Sequence, residues 1–339
     1  MKRNFSTLKP IILIVIIVSV LLSFASCKRD LEEEYEQKLA VLLHEKQRLE
    51  NERERILNSL DNEFPKPSYM SLLFVNLDSA IYTEAFPIMS AQDENDIALV
   101  GVMALSENEL PGLVGKLTLS EYNALVASGW SSALYWNGEK ELGAFIDDMG
   151  AMLGGLGIEL PDSLVFAYGA YSSECDQILL SHGIKTAVHS GEEGLSYVDG
   201  SRPDGIWHPG RIGWRCVGTS ANSSTKLKDK VETDGGYALF EIGFDNSSDK
   251  YETTFFPVAD NEQDADRVDK FRNMVSSFKQ SVTKGRISVD VIGDARAAFE
   301  SHYVSRVTAE EANRLRLAQI EQELTVIRQH ITDLYNQYH

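Results

Sequence analysis

An α/β fold is predicted, and three observations predict it. Short apolar runs recur through the middle of the chain, at 72–75, 97–103, 131–135, 164–168 and 186–188. Segments with helical spacing lie between them, several closed by glycine. Runs of this kind mark strands buried on both faces of a parallel sheet, and strand–helix alternation implies crossover helices. The third observation is a seven-residue apolar repeat at each end of the chain, which sets two charged helices apart from the globular part.

Residues 1–27 read as a targeting segment. Lys2, Arg3 and Lys9 form a basic start, and 11–24 is almost wholly apolar. That length suits a signal sequence and is short for a bilayer span of about 20 residues. Ala25-Ser26 before Cys27 resembles a bacterial lipoprotein cleavage site, with Cys27 as the lipidated residue. Phe24 stands where such sites usually carry Leu. Lipidation at Cys27, an uncleaved anchor and simple secretion all place the rest of the chain outside the cytoplasm, in a bacterial cell envelope. The first two give it a membrane partner.

Residues 28–63 form the N-terminal coiled-coil helix. Tyr35, Leu42, Leu49 and Ile56 make one heptad series; Leu39, Lys46, Arg53 and Leu60 make the other, with two polar interruptions. Residues 305–339 repeat the pattern, with Leu317, Leu324, Ile331 against Ile320, Ile327, Leu334. Thr308 and Glu311 offer a capping box for its start. Neither helix carries enough apolar surface to stand alone. Each pairs with the other in an antiparallel hairpin, or with a second chain in a homo-oligomer, or lies solvated on the domain.

Residues 64–304 are left as one domain, long enough for a sizeable core and for a barrel-like α/β fold. Pro65 and Pro67 open it. The net charge of −19 leaves no basic patch to neutralise phosphates, so no nucleic-acid partner is expected. Cys175 and Cys216 are enough for one disulfide in an oxidising compartment, or are two small buried hydrophobes. No Cys/His spacing suits zinc.

Within the domain, a strand at 72–75 leads to a helix at about 80–90. The strand at 97–103 leads to a helix capped by Ser120 and stopped at Gly129. Strands at 131–135, 164–168 and 186–188 alternate with helices at 140–156 and 173–181.

Four stretches carry a resemblance. They are Phe74-Val75-Asn76-Leu77 after the first strand; Leu119-Ser120-Glu121-Tyr122 through Ser128-Gly129-Trp130; Phe166-Ala167-Tyr168-Gly169-Ala170-Tyr171; and Leu179-Leu180-Ser181-His182-Gly183 through Ala187-Val188. Their order and spacing resemble the polysaccharide deacetylase (NodB-homology) family over about 68–303. The resemblance implies an irregular (β/α) barrel of the polysaccharide-deacetylase type, with active groups at the carboxyl ends of the strands.

It also implies a divalent metal held by one Asp and two His, a second Asp as base and a late His as acid. This chain departs at every one of those places. The aspartate pair is replaced by Val75-Asn76. The metal histidines would fall within 132–139, and the late histidine within 237–244; neither stretch contains His. No cofactor or metal is therefore expected, and a catalytically inactive member is the leading reading.

Asp78 reads as a helix cap, and His182 and His189 as structural. Asp204, His208 and Arg211 fall in a loop with two Pro, two Gly and an exposed-looking Trp207, a setting where function often sits. The glycine cluster at 150–157 lacks the strand-first context of a dinucleotide site. Aromatic residues carry the remaining signal. Tyr135 and Trp136 stand where the metal histidines would be, Tyr168 and Tyr171 belong to the third stretch, and Trp207 and Trp214 to the fourth loop. With His208 these are candidate glycan-binding residues, since aromatic faces stack on sugar rings. The alternative is that they fill the cavity the metal would have occupied.

The expected function is a glycan-binding or envelope structural role, with cell-wall or exported polysaccharide as the candidate partner. One alternative is a hydrolase, deacetylating such a polysaccharide with a non-standard catalytic set. The other is a coiled-coil assembly factor.

Overall fold

The computed structural model describes residues 8–61, 66–75, 77–91, 97–112, 117–167, 170–189, 194–196, 205–209, 221–242 and 262–338. By internal contacts the chain forms two units. One joins residues 1–64 to 304–339, and the other comprises 65–303.

The first unit is an antiparallel pair made from α1 (Leu8–Asp61) and the later part of α8 (Ile292–Tyr338). Leu49 packs with Ile320, Leu324 and Ile327, flanked by Leu42, Ile56 and Ile331. These are the heptad positions of both helices, so the seam is the apolar stripe the repeat creates. Arg53, a polar interruption of that stripe, reaches across to Glu321 at 2.5 Å. Arg316 holds both carboxylate oxygens of Glu52, at 2.8 and 3.1 Å. Tyr35 and Tyr338 meet with ring centroids 5.5 Å apart. Among the described residues no helix is long and apolar enough to cross a membrane. The side chains of the apolar 11–24 segment, and of Cys27, lie outside the described residues.

The helix α8 corrects one expectation. It starts at Ile292, not at a cap near 308, and the Thr308 hydroxyl donates to the Val304 carbonyl at 2.8 Å, one turn back. Ile292, Ala295 and Phe299 explain the earlier start, because they pack on the sheet of the second unit.

That unit is a curled parallel half-barrel with helices. Its strands are β1 (Ser68–Phe74), β2 (Val102–Leu105), β3 (Ser131–Trp136), β4 (Ser163–Phe166), β5 (Thr186–Val188), β6 (Gly194–Ser196), β7 (Ile206–His208), β8 (Gly236–Ile242) and β9 (Ser288–Val289). The order is β6-β7-β5-β4-β3-β2-β1-β8, with β9 also on β1; among the described strands β6 alone is antiparallel. β1 is central. All of it registers with β8, while β9 pairs at Tyr69–Met70 and β2 at Leu73–Phe74.

Two-residue alternation divides the sheet into two faces. Met70, Leu72, Phe74, Met103, Leu134, Leu164, Phe166, Ala187 and Phe240 point to the large core under the helices. Leu73, Val102, Ala104, Ala133, Val165, Val188, Trp207, Tyr237 and Leu239 point to the inner face. The helix layer includes a π-helical turn Ile81–Ala85 running into α2 (Phe86–Ser90), then α3 (Leu119–Ala127), α4 (Leu142–Gly155), α5 (Cys175–Ser181), α6 (Ala221–Asp234) and α7 (Glu262–Thr283). Lys279 of α7 is fully buried and donates to the carbonyls of Ile88 (3.3 Å) and Ala91 (2.5 Å), satisfying the end of α2.

The cap of α3 is Thr118 rather than Ser120. Thr118 Oγ1 accepts from the Glu121 amide, and the Glu121 carboxylate accepts from the Thr118 amide at 2.8 Å. Thr118 meets Glu121 at the three-residue spacing a capping box requires, whereas Ser120 does not. Gly129 ends this helix at φ 91°. Gly101 serves another purpose: a Cβ there would lie 2.6 Å from the Trp130 ring and 2.8 Å from the Phe74 ring.

Candidate functional site

The carboxyl ends of β5 and β7 carry a buried polar cluster under α5. His189 follows β5 directly and His208 ends β7. By alternation with Ala187 and Ile206, which lie in the large core, both point to the helix side of the sheet. Asp176 lies in the first turn of α5, beside the core residues Cys175 and Leu179. The fractional exposures are 8% for Asp176, 7% for His189 and 5% for His208. Buried polar groups of this kind persist when their hydrogen bonds are made.

Here the bonds form a chain. Asp176 Oδ2 lies 3.2 Å from His208 Nε2, and His208 Nδ1 lies 2.9 Å from His189 Nε2. The Tyr171 hydroxyl donates to Asp176 Oδ1 at 3.1 Å. Its ring stacks on His189, with centroids 3.8 Å apart and planes 7° from parallel. The carboxylate accepts only, so His208 carries its proton on Nε2. Its Nδ1 is then an acceptor, and His189 Nε2 must be the donor. Burial holds the His208 pKa below the ordinary histidine value, with the nearby Asp176 carboxylate opposing that shift. Burial and Asp176 both push the Tyr171 hydroxyl up, so it stays protonated and keeps donating.

The aromatic residues singled out from the sequence divide between the two faces. Trp136 is buried on the helix side, its Nε1 donating to the Lys140 carbonyl at 3.0 Å. It meets Phe166 edge-on at 5.5 Å, Phe166 meets Tyr171 at 5.2 Å, and Tyr171 meets His208 at 5.4 Å. Trp136, Tyr171 and His208 thus belong to one aromatic row. Tyr135 and Trp207 lie on the other face. Trp207 is not exposed: it is 3% accessible and packs against Tyr237 and Phe299, each at 5.2 Å. The 206–208 stretch is a strand, and alternation turns its indole inward. Asn76, Tyr168, Asp204, Arg211, Trp214 and Cys216 lie outside the described residues. Cys175 is free and buried.

Asp78 accepts from the Ala80 amide at 2.9 Å and so caps the turn that follows. His182 sits at the end of α5, with Nδ1 2.7 Å from the Ile178 carbonyl and Nε2 3.3 Å from Asp147. His189 belongs to the polar chain, and Asp176 was not singled out from the sequence. The signal for Asp176 was its spacing: at 175, 176 and 179 a carboxylate shares the buried stripe of a short helix.

Among the described residues no group of three or more His, Cys, Asp or Glu could hold a metal ion. The aspartate pair that the deacetylase resemblance implies is replaced by Val75 and Asn76, the latter outside the described residues; Tyr135 and Trp136 stand in the stretch of the metal histidines, and the β8 stretch holds Glu241. Glu241 is 7% exposed and shares the inner-face alternation of Tyr237 and Leu239. These residues do not fit a metal held by one Asp and two His.

No known family model matches the chain, and no curated protein matches it. Among solved structures, 4-alpha-glucanotransferase from Thermococcus litoralis is similar over 68% of this chain and 38% of its own length, at 13% identity and a TM-score of 0.39.

Proposed function

We propose that the protein is an envelope-anchored α/β module of polysaccharide-deacetylase type that binds a glycan rather than cutting one. The observation that carries this reading is substitution in place. The sheet is curled and parallel, while Val75 and Asn76 stand in place of the aspartate pair and Tyr135 and Trp136 in the stretch of the metal histidines. Of these, Tyr135 is the half-buried ring offered for stacking on a sugar, which needs no polarised amide. The basic start, the apolar 11–24 segment and Cys27 support anchoring to a membrane.

Co-sedimentation of the detergent-solubilised full chain with insoluble cell-wall glycan tests the reading. Tyr135→Ser is the variant to compare, because Tyr135 is only half-buried. Retention of the native chain, reduced at least tenfold in the variant, is expected. Acetate release from a chitooligosaccharide on adding zinc would overturn it, as would equal retention of both chains.

A further inference from the structure

We propose that α1 occupies a self-complementary face of α8, and that charged residues in and beside the α1 seam reserve this face for pairing within the chain and against a second copy. The two helices bring unequal seams to the hairpin. In α8 both series are apolar throughout, Leu317, Leu324 and Ile331 with Ile320, Ile327 and Leu334. In α1 one series is interrupted by Lys46 and Arg53. A parallel pair sets equivalent seam positions opposite each other, and a charged residue there selects the partner at a cost in stability. Two copies of α1 would oppose Lys46 to Lys46 and Arg53 to Arg53. Two copies of α8 would meet through Leu and Ile alone. The charges flanking the α8 seam favour that second meeting. Arg316 and Glu323 each precede a seam residue by one position, and Glu321 and Arg328 stand five residues on from them. Flanking positions five apart meet across a parallel pair, so each basic residue would face an acidic one of the second copy.

In the hairpin these same groups of α8 are turned to α1. Leu49 enters between Ile320, Leu324 and Ile327. Arg53 leaves the seam and meets Glu321 at 2.5 Å. Arg316 donates from Nε and Nη2 to Glu52, and from Nη1 to Glu323 at 3.0 Å. One antiparallel register runs from end to end. Asn313 donates to the Ser59 hydroxyl at 3.1 Å near one end, and Lys38 donates to the Tyr338 hydroxyl at 3.2 Å near the other. The Arg53 and Glu321 side chains are about half exposed, and those of Arg316 and Glu52 about one-third. Pairs this exposed add little affinity. Their effect is on the choice of partner, because the wrong partner meets like charges where the right one meets opposite charges.

Disulfide trapping in the detergent-solubilised full chain tests this, with the linked peptides identified after digestion. Leu42 and Ile331 stand seven residues along each helix from the facing Tyr35 and Tyr338, and both belong to the seam. Leu42→Cys with Ile331→Cys should link 42 to 331 within one chain, at the single-chain mass on a non-reducing gel. Ile331→Cys alone should give little 331–331 product between chains. Adding Glu52→Arg and Arg53→Glu sets like charges against Arg316 and Glu321, and should raise that product at least tenfold. Adding Arg316→Glu and Glu321→Arg as well restores opposite charges across the hairpin, while keeping the 316 and 321 charges of α8 complementary to each other. The 331–331 product should then fall back to its first level. A 42–331 link that joins two chains, or no such link, would overturn the proposal. So would equal 331–331 yields before and after the α1 reversal, or a yield that stays high after the second one.

Discussion

The two sides of the curled sheet are fastened by different chemistry. On one side, all of β1 registers with β8, from Ser68 on Gly236 to Phe74 on Ile242, and every residue of β8 is buried. On the other, β7 registers with β5 at Thr186 and Trp207 among the described residues, and His208 bonds to His189 and Asp176. Backbone bonds do not titrate between pH 4 and 9, whereas a histidine pair does. The backbone ladder of the first side does not respond to acid, and that side is sensitive to lost volume. The second is sensitive to the proton.

Phe74→Ala is the strongest way to break the first side. Phe74 is fully buried, touching the Trp130 ring at 5.1 Å and the Phe271 ring at 6.5 Å. Removing a ring from so tight a site costs about 3–5 kcal/mol. Urea unfolding should show that loss equally at pH 8 and pH 5.5. A loss that grew on acidification would mean the two sides are not separate.

Asp176→Ala comes next, and should cost about 2–3 kcal/mol, since hydrogen bonds to a charged group contribute roughly 1.5–3 kcal/mol. It removes the acceptor of both His208 and Tyr171. The same urea experiment checks the size. A cost below about 0.5 kcal/mol would leave the cluster without a holding role.

Legibility in the sequence followed the same division. Continuous apolar runs such as Leu72 to Val75 and Leu164 to Phe166 announced parallel strands, because strands covered on both faces need nothing but apolar residues. The heptads at both ends likewise announced the helices that pair through Leu49 and Leu324. The edge beyond β5 was harder to read. β7 has only three residues, between Pro and Gly, and a loop was the natural reading for it. Its alternation, Ile206 and His208 to one side and Trp207 to the other, becomes visible only once the pairing with β5 is known. Asp176 was hidden for a related reason, as its partner lies 32 positions away. The deacetylase-type site was read from residues that are absent, and the buried chain from residues whose meeting the sequence did not show.

The pH dependence of stability sharpens the contrast. Burial lowers the pKa of His208 in the folded chain. The unfolded chain therefore binds more protons once the pH drops below about 6.5, and stability falls with it. Above that value the contribution is fully present. The urea midpoint should be level from pH 8 to 7 and decline below about 6.5. His208→Gln should flatten that part of the curve, and an unchanged slope in the variant would assign the decline to other groups.

Tyr171→Phe has the smallest expected effect and separates two roles of one side chain. The ring stacked on His189 stays; only the hydroxyl bonded to Asp176 is lost. A hydrogen bond to a carboxylate contributes about 1.5 kcal/mol at the lower end of its range. In a domain of this size that moves the melting temperature by roughly 3–6 °C. Asp176 then has one donor fewer, so its charge is less shared and acts more fully on His208. The nearby carboxylate raises the His208 pKa against the effect of burial. The acid decline in stability should accordingly still set in near 6.5 but be smaller in Tyr171→Phe than in the native chain. A larger decline would show that the hydroxyl, and not the carboxylate, sets the charge of the pair.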